Sequence, residues 1–211
     1  MSLLALKRRA EGLAFEDETF DRVDLRSTRA FGAKFTKCTF TGCKMALSDF
    51  RSARFDGCTF EECDLGKTDF FTANLVGCSF VKCDLEQSSF MGACLDDISF
   101  ADCRMAYSET LFQNATVRRK AHFLRCNFHG SSLDFRQVES GVLKMTDCNL
   151  WSAKTSFGCA FWQGEFDEKT CQRFLALVAK VYPVNDVRVK LMSMAGDQYP
   201  VVNRAINVGK E

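Results

Sequence analysis

A five-residue period runs through the chain from Phe20 to Met105. Every fifth residue is large and apolar except Ala30, and the residue two places before each of these centres is small along nearly the whole stretch. A period of five matches neither the 3.6 residues of an α-helix turn nor the two of a β-strand, so the usual amphipathic interpretations fail over this length. The repetition itself therefore has to define the fold.

The same stretch also repeats at twenty residues. One column of centres consists of Phe20, Phe40, Phe60, Phe80 and Phe100. One column of small residues consists of Cys43, Cys63, Cys83 and Cys103. Like residues at a spacing of twenty indicate that four units make one turn of a coil and that residues twenty apart stack. The sequence predicts a solenoid.

Individual units share one order of residue types: a small residue, then Asp or Asn, then Leu or Phe, then two further positions. Clear examples are Cys63-Asp64-Leu65-Gly66-Lys67, Ala73-Asn74-Leu75-Val76-Gly77 and Cys83-Asp84-Leu85-Glu86-Gln87. These units resemble the consensus of the pentapeptide-repeat family over roughly residues 13–166. The resemblance implies an all-β solenoid, a right-handed quadrilateral β-helix in which each centre and the small residue two before it point inward. Such a fold hosts many functions and implies no particular reaction.

The repeat divides the chain into regions. Residues 1–12 are predicted to be an N-terminal cap, because the first coil of a solenoid has an open edge. Residues 13–166 are the predicted β-helix. Within it the centres move from Met105 to Phe123, which is not a multiple of five, so we expect a loop or bulge over residues 111–120.

From residue 167 the apolar spacing changes to three and four, which predicts an amphipathic C-terminal helix followed by a tail to residue 211. Its apolar stripe includes Phe174, Leu175, Val178 and Val181. The stripe is wide enough to cover the last coil and to contact a second chain. The resemblance to Qnr-like and mycobacterial gyrase-modulator relatives implies a homodimer through this helix.

The chain has twelve Cys, and nine of them fall at small interior positions of the repeat. Core packing is the favoured interpretation, because a free thiol packs as a small hydrophobe. A disulfide or metal role is the alternative, since stacked positions about 4.8 Å apart lie within disulfide reach. No CxxC pair or His cluster supports a metal, so no metal or cofactor is predicted. The N-terminal apolar run is too short for a secretory signal and no stretch is long enough for a membrane span, so we expect a cytoplasmic protein without a membrane partner.

Charge separates along the chain although the whole is nearly neutral. Twenty-eight basic and twenty-seven acidic residues give a net charge of +1, which argues against direct nucleic-acid binding. Residues 31–110 contain eight basic and twelve acidic residues, a net charge of −4, and residues 111–166 have a net charge of +3. His122 and His129 stand apart from any candidate nucleophile, so we expect no enzymatic activity.

With the phase fixed, the outward residues identify three candidate contact sets. The acidic set is Glu61, Glu62, Asp64, Asp84 and Glu86. The basic set is Arg118, Arg119 and Lys120. The third set is a stripe in which large apolar residues replace the usual polar ones, formed by Phe31, Arg51, Phe71 and Met91. Large apolar side chains on an outward face indicate a contact with a partner, or a cover provided by either end of the chain.

Two functions fit these features. The resemblance to Qnr-like proteins rests on the long unbroken rod, the mid-chain interruption, the Cys-Asn-Leu-Trp unit at 148–151 and the C-terminal helix. It implies a DNA-mimicking modulator or protector of DNA gyrase or topoisomerase IV. The alternative is a protein-interaction scaffold or secreted effector. A continuous acidic stripe favours mimicry, whereas patchy charge beside a Phe/Met ridge favours the scaffold.

Overall fold

The computed structural model describes residues 9–108, 111–134, 142–150, 153–156 and 165–166. Over these residues the chain coils into a stack of short parallel strands. We number the four sides of the coil in chain order, so that Phe15, Phe20, Leu25 and Ala30 are the first centres of faces 1, 2, 3 and 4. The predicted β-solenoid is confirmed in this part of the chain.

Within the described ranges, faces 1 and 2 carry regular parallel sheets, and their strands are counted there. The sheet on face 1 has six strands: β1 (Ala14–Glu16), β3 (Lys34–Thr36), β5 (Arg54–Asp56), β7 (Asn74–Val76), β9 (Cys94–Asp96) and β11 (Thr116–Val117). The sheet on face 2 has eight: β2 (Thr19–Asp21), β4 (Thr39–Thr41), β6 (Thr59–Glu61), β8 (Ser79–Val81), β10 (Ile98–Ala101), β12 (Lys120–Leu124), β14 (Val142–Thr146) and β16 (Glu165–Phe166). Faces 3 and 4 pair mainly through single-residue bridges, such as Asp24 with Lys44 on face 3 and Arg29 with Asp49 on face 4. The remaining strands, β13 (Ser132–Asp134) and β15 (Lys154–Ser156), pair with each other.

Stacked phenylalanine rings fill the core. On face 2 the ring of Phe60 lies between those of Phe40 and Phe80, with centroid distances of 4.8 and 4.5 Å and nearly parallel planes. At the corner with face 1 its edge meets the ring of Phe55 at 5.6 Å. Parallel stacking within a column and edge contact between columns are both favourable arrangements, worth about 0.5–1.5 kcal/mol per pair beyond burial. The predicted apolar columns are therefore confirmed as the core.

The small residues of the inner columns donate hydrogen bonds to backbone carbonyls at the corners. The thiol of Cys63 donates to the carbonyl of Phe40 at 3.3 Å, and the hydroxyl of Thr68 donates in the same way to Met45 at 3.1 Å. The nine cysteines predicted to be interior are all buried: Cys38, Cys43, Cys58, Cys63, Cys78, Cys83, Cys103, Cys126 and Cys148. All the cysteines in the described ranges are free thiols. Their predicted role in core packing fits this geometry.

The chain turns a corner after every fifth residue, and most corners place one residue in the left-handed region. Gly57 has φ of 62°, but Leu47 and Lys67 also have positive φ, of 62° and 56°. This conformation costs an L-residue roughly 1–2 kcal/mol. The non-glycine corners are tolerated because hydrogen bonds from the coils on either side fix the backbone, for example from the Lys67 amide to the carbonyl of Glu86.

Most of residues 111–120, predicted to be a loop or bulge, lies in the coil ladder. Phe112 stacks on Phe90 with ring centroids 5.3 Å apart, and β11 pairs Thr116 with Cys94. Phe112 is fully buried. The segment therefore continues the coil ladder.

One added residue lies between β11 and β12. Strand β11 pairs with β9 at an offset of 22 positions, whereas β12 pairs with β10 at an offset of 23. The extra residue falls at Arg118 and Arg119, both of which are exposed. A one-residue insertion of this kind is absorbed as a bulge without loss of the ladder on either side.

Two predicted regions lie largely outside the described residues. The first eight residues of the predicted cap are not described, and neither are the predicted C-terminal helix and its dimer residues Phe174, Leu175, Val178 and Val181. Within the described part of the chain, no helix has the length and apolar character needed to cross a membrane.

Replacing Phe60 with Ala should lower the free energy of unfolding by about 3–5 kcal/mol, because the truncation leaves a cavity between two stacked rings that cannot collapse. Lys67→Ala, on the surface, should change it by no more than about 0.5 kcal/mol. Urea unfolding followed by far-UV circular dichroism measures both. Equal effects of the two substitutions would show that the register is wrong.

The buried thiols should react only after unfolding. Hydrogen bonds to Cys103 and Cys63, together with burial, raise the pKa of Cys83 above its ordinary value. The protonated form is therefore favoured by folding, so this contribution to stability is complete below a pH of about 8.5 and is lost as the pH rises further. We expect few of the twelve thiols to react with Ellman's reagent in the native protein at pH 8, and close to twelve to react in denaturant without reductant. We also expect the melting temperature to fall above about pH 9. A large shortfall in denaturant would indicate disulfides.

Candidate binding surfaces

The acidic set is divided between two faces and is partly neutralised. Glu62 forms an ion pair with Lys82 at 3.2 Å at the edge of face 2. On face 3 the guanidinium of Arg104 donates to Asp84 at 3.1 Å and also contacts Glu86. The pKa of Arg104 is raised, first by its hydrogen bond to Asp84. The acidic set therefore does not form a continuous stripe of free carboxylates.

Arg104 is the residue of this surface that the sequence-based site omitted. It stands twenty positions after Asp84, and the bridge between these two residues places it in the next coil of the same column. The signal was present in the sequence, since the column repeats at twenty. What the period does not give is the rotamer that turns the guanidinium back toward the acids.

Two members of the acidic set also have a structural role. The carboxylate of Asp64 accepts the backbone N–H of Gly66 at 3.1 Å, and that of Asp84 accepts the N–H of Glu86 at 3.0 Å. Asn127, further along the same column, uses its amide oxygen for the equivalent bond to His129. These are Asx turns, in which a short polar side chain satisfies a backbone donor two residues on. An acid at this position is therefore explained by the turn as well as by any partner.

The basic set is partly paired with the acids of the preceding coil. Arg119 contacts Asp96 at 2.6 Å, which raises the pKa of the guanidinium. Arg125, further along, contacts Asp102 at the same distance. Arg118 and Lys120 are exposed. These pairs join the acidic and the basic halves of the rod.

The stripe on face 4, which we call the aromatic ridge, consists of Phe31, Arg51, Phe71 and Met91. Phe31 is 49% exposed and Phe71 38% exposed. Arg51 donates to Asp49 at 2.8 and 2.7 Å. The same bond lowers the pKa of the Asp49 carboxyl. The structure therefore places the predicted ridge residues in one outward column and leaves the rings accessible.

A shallow notch on face 3 was not foreseen from the sequence. It has a volume of about 240 Å³, and its lining is Ala46, Leu47, Gly66, Lys67, Asp84, Glu86, Gln87 and Arg104. Its floor is formed where the outward column carries only Ala46 and Gly66. Leu47, at the corner with face 4, is 60% exposed. The notch thus brings an apolar floor together with two members of the acidic set.

Metal ligands and histidines are the remaining candidates for a chemical site in the described ranges. Across the described ranges, no group of three or more His, Cys, Asp or Glu residues is arranged to hold a metal ion. The ring of His129 meets the edge of Tyr107 at 5.2 Å, and His122 is half-buried on β12.

Asp64→Ala should destabilise the protein by about 0.5–1.5 kcal/mol, because the Gly66 N–H loses its acceptor. Asp64→Asn should be close to neutral, since an amide oxygen can accept the same bond, as it does at Asn127. Thermal unfolding of the two variants measures the difference. If Asn were as destabilising as Ala, charge rather than the turn would account for Asp64.

Comparison with known proteins agrees with this geometry. A family model described as a pentapeptide repeat region matches residues 33–110. No curated protein matches.

Solved structures with similarity include full-length QnrB1, a plasmid-mediated fluoroquinolone resistance protein, at 16% identity and a TM-score of 0.34, covering 74% of this chain and 82% of that one. A trypsin-treated QnrB1 variant has 15% identity and a TM-score of 0.40, with coverages of 82% and 92%. HetL of the cyanobacterium Nostoc sp., a pentapeptide repeat protein involved in heterocyst differentiation regulation, has 13% identity and a TM-score of 0.31, with coverages of 75% and 87%. Residues 33–110 are therefore assigned to a pentapeptide repeat region, in agreement with the coil geometry of their described part.

Proposed function

We propose that this protein is a non-enzymatic binding protein and that a protein partner contacts the aromatic ridge on face 4. One observation carries the proposal. Among the phenylalanine side chains that the structure describes, all are buried except Phe31 and Phe71. Both exposed rings stand in the same outward column, two coils apart. Exposed apolar side chains grouped on a polar surface mark interaction sites, and aromatic residues commonly supply most of the binding energy there.

The charge pattern supports contact by the ridge over DNA mimicry. Arg104 pairs with two acids of face 3, and Lys82 pairs with a third on face 2. Ion pairs of this kind reduce the negative electrostatic potential with which a surface that imitates DNA phosphates would attract a DNA-binding channel. Patchy charge beside a Phe/Met ridge is the pattern expected of an interaction scaffold.

The second candidate is the function implied by the resemblance to Qnr-like proteins. In it the rod is a DNA-mimicking modulator or protector of DNA gyrase or topoisomerase IV, acts in the cytoplasm, and is a homodimer through the predicted C-terminal helix. The observation that favours it is the net charge of −4 over residues 31–110, of which residues 31–108 lie on the described coil. Glu61, which is exposed at the end of β6, belongs to that excess.

Two double variants separate the candidates. Phe31→Ser with Phe71→Ser removes the ridge, and Asp64→Asn with Asp84→Asn removes two charges while keeping both Asx turns. Purified gyrase and topoisomerase IV are assayed for supercoiling or decatenation and for quinolone-induced DNA cleavage with each protein. If a topoisomerase binds the ridge, the serine variant should weaken the effect at least about tenfold and the asparagine variant much less, because two anchoring side chains of more than about 1 kcal/mol each are lost.

A larger loss of effect in the asparagine variant than in the serine variant, with a reduced salt dependence, would support mimicry and contradict contact through the ridge. If the parent protein changes neither enzyme at micromolar concentration, the topoisomerase partner is wrong. The ridge is then tested by comparing proteins captured from a bacterial lysate by the parent and by the serine variant. Identical capture would contradict the proposed contact surface.

A further inference from the structure

The notch on face 3 is bounded at each end by a long side chain that is held in an ion pair. Along the outward column, Arg26 precedes the small residues Ala46 and Gly66, and Glu86 follows them. Arg26 is bound to Asp24 of its own coil at 2.6 Å. Glu86 is bound to Arg104 of the following coil. The floor between them is therefore left bare over two coils.

Leu47 extends this apolar floor to the corner. It is 60% exposed, and it occupies a corner position whose φ of 62° favours glycine and small polar residues. The corresponding residues of the neighbouring coils are Ser27, Lys67 and Gln87. Nothing in the folding of the coil requires leucine at this exposed position, so its apolar surface is available to a partner.

Charge and size restrict what fits. Lys67 and Arg104 balance Asp84 and Glu86, so the notch favours an uncharged guest. Lys67 lines the notch, and its ammonium group can lie against the face of an aromatic ring. A volume of about 240 Å³ is smaller than a typical small-molecule site of about 300–1,000 Å³. It suits a single large side chain.

A second copy of the chain is a poor occupant. The notch spans about two coils, roughly 10 Å along the rod at a strand spacing of about 4.8 Å, and one face is roughly as wide as a three-residue strand, about 10 Å. A patch of on the order of 100 Å² is far below the roughly 800 Å² per partner of a stable protein interface. The notch can receive one anchor residue of an interface but cannot make a dimer by itself.

We propose that the notch is an anchor pocket that receives one aromatic side chain of the protein partner. This inference rests on the proposed protein-binding function and adds the chemical class of the contact. The ring packs on Ala46, Gly66 and Leu47, with Lys67 at the rim. Because Leu47 stands at the corner between faces 3 and 4, one partner can fill the notch and cover the aromatic ridge together.

Gly66 allows the pocket to be filled without disturbing the coil. Its φ is not in the left-handed region, and a Cβ placed there would meet only Asp64 Oδ1 at 3.4 Å and the carbonyl of Glu86 at 3.7 Å. Gly66→Met therefore introduces a side chain that occupies the notch. Thr41→Met places the same side chain at the equivalent outward position of face 2 and is the matched control. Leu47→Ala removes one wall.

The test uses N-acetyl-L-tryptophanamide as the probe and amide chemical shifts of the isotope-labelled full chain as the readout. We expect saturable shifts at residues 46, 47, 66 and 67 with a dissociation constant on the order of 1–10 mM. Gly66→Met should weaken binding at least tenfold, Leu47→Ala a fewfold, and Thr41→Met not at all. Unchanged melting temperatures establish that the variants are folded.

Three results would overturn the proposal. They are the absence of saturable shifts at the notch in the parent protein, equal binding by Gly66→Met, and tighter binding of N-acetyl-L-leucinamide than of the tryptophan probe. Shifts at the notch that depend on protein concentration alone would assign it to a second copy instead.

The ridge variant with Phe31→Ser and Phe71→Ser should bind the probe normally. Loss of partner capture by that variant, with no probe binding by the parent, would reject the notch and retain the proposed function.

Discussion

In-register stacking of one coil on the next is the constraint on which the rest of the structure depends. Each inward ring, such as Phe60, packs on the like ring of the coils before and after it, and the same pairing fixes the outward residues. Outward charges are therefore also stacked, about 4.8 Å apart. Two carboxylates in adjacent coils, like Asp64 and Asp84, repel each other at that distance. Arg104 in the next coil relieves the repulsion, so the stacking that builds the rod also favours ion pairs over a continuous acidic stripe.

The fold could be predicted from the sequence because the five-residue period assigns every residue to a column of the coil before any contact is known. This held for the phenylalanine core and for the nine buried cysteines. Over residues 111–120 the period indicated an interruption but not the position of each residue in the coil. Leu111 and Phe112 are adjacent apolar residues, and the period alone does not say which of them is the centre. The ring of Phe112 stacking on Phe90 identifies it.

The candidate surfaces were only partly accessible for a different reason. The aromatic ridge follows from phase alone, because Phe31 and Phe71 stand at outward positions whatever their rotamers are. The notch depends on rotamers, since the side chains of Arg26 and Glu86 at its two ends are held in ion pairs. The same applies to the acidic set, whose members were placed correctly on the surface but whose pairing with Arg104 and Lys82 required coordinates.

The division of the rod into two kinds of face explains where the candidate surfaces lie. Faces 1 and 2 carry continuous sheets, and on face 2 the residue before each centre is a threonine or serine in five successive strands, which suits hydrogen bonding along a ladder. Faces 3 and 4 pair mainly through single residues, so the positions on either side of each bridge are less constrained by the sheet. Asx turns satisfy the backbone there, as at Asp69, which accepts the N–H of Phe71 at 2.9 Å. Because such a turn satisfies its own backbone donor, the side chain that follows it is free to vary. The exposed apolar residues of the ridge and of the notch lie on these two faces and at the corner between them.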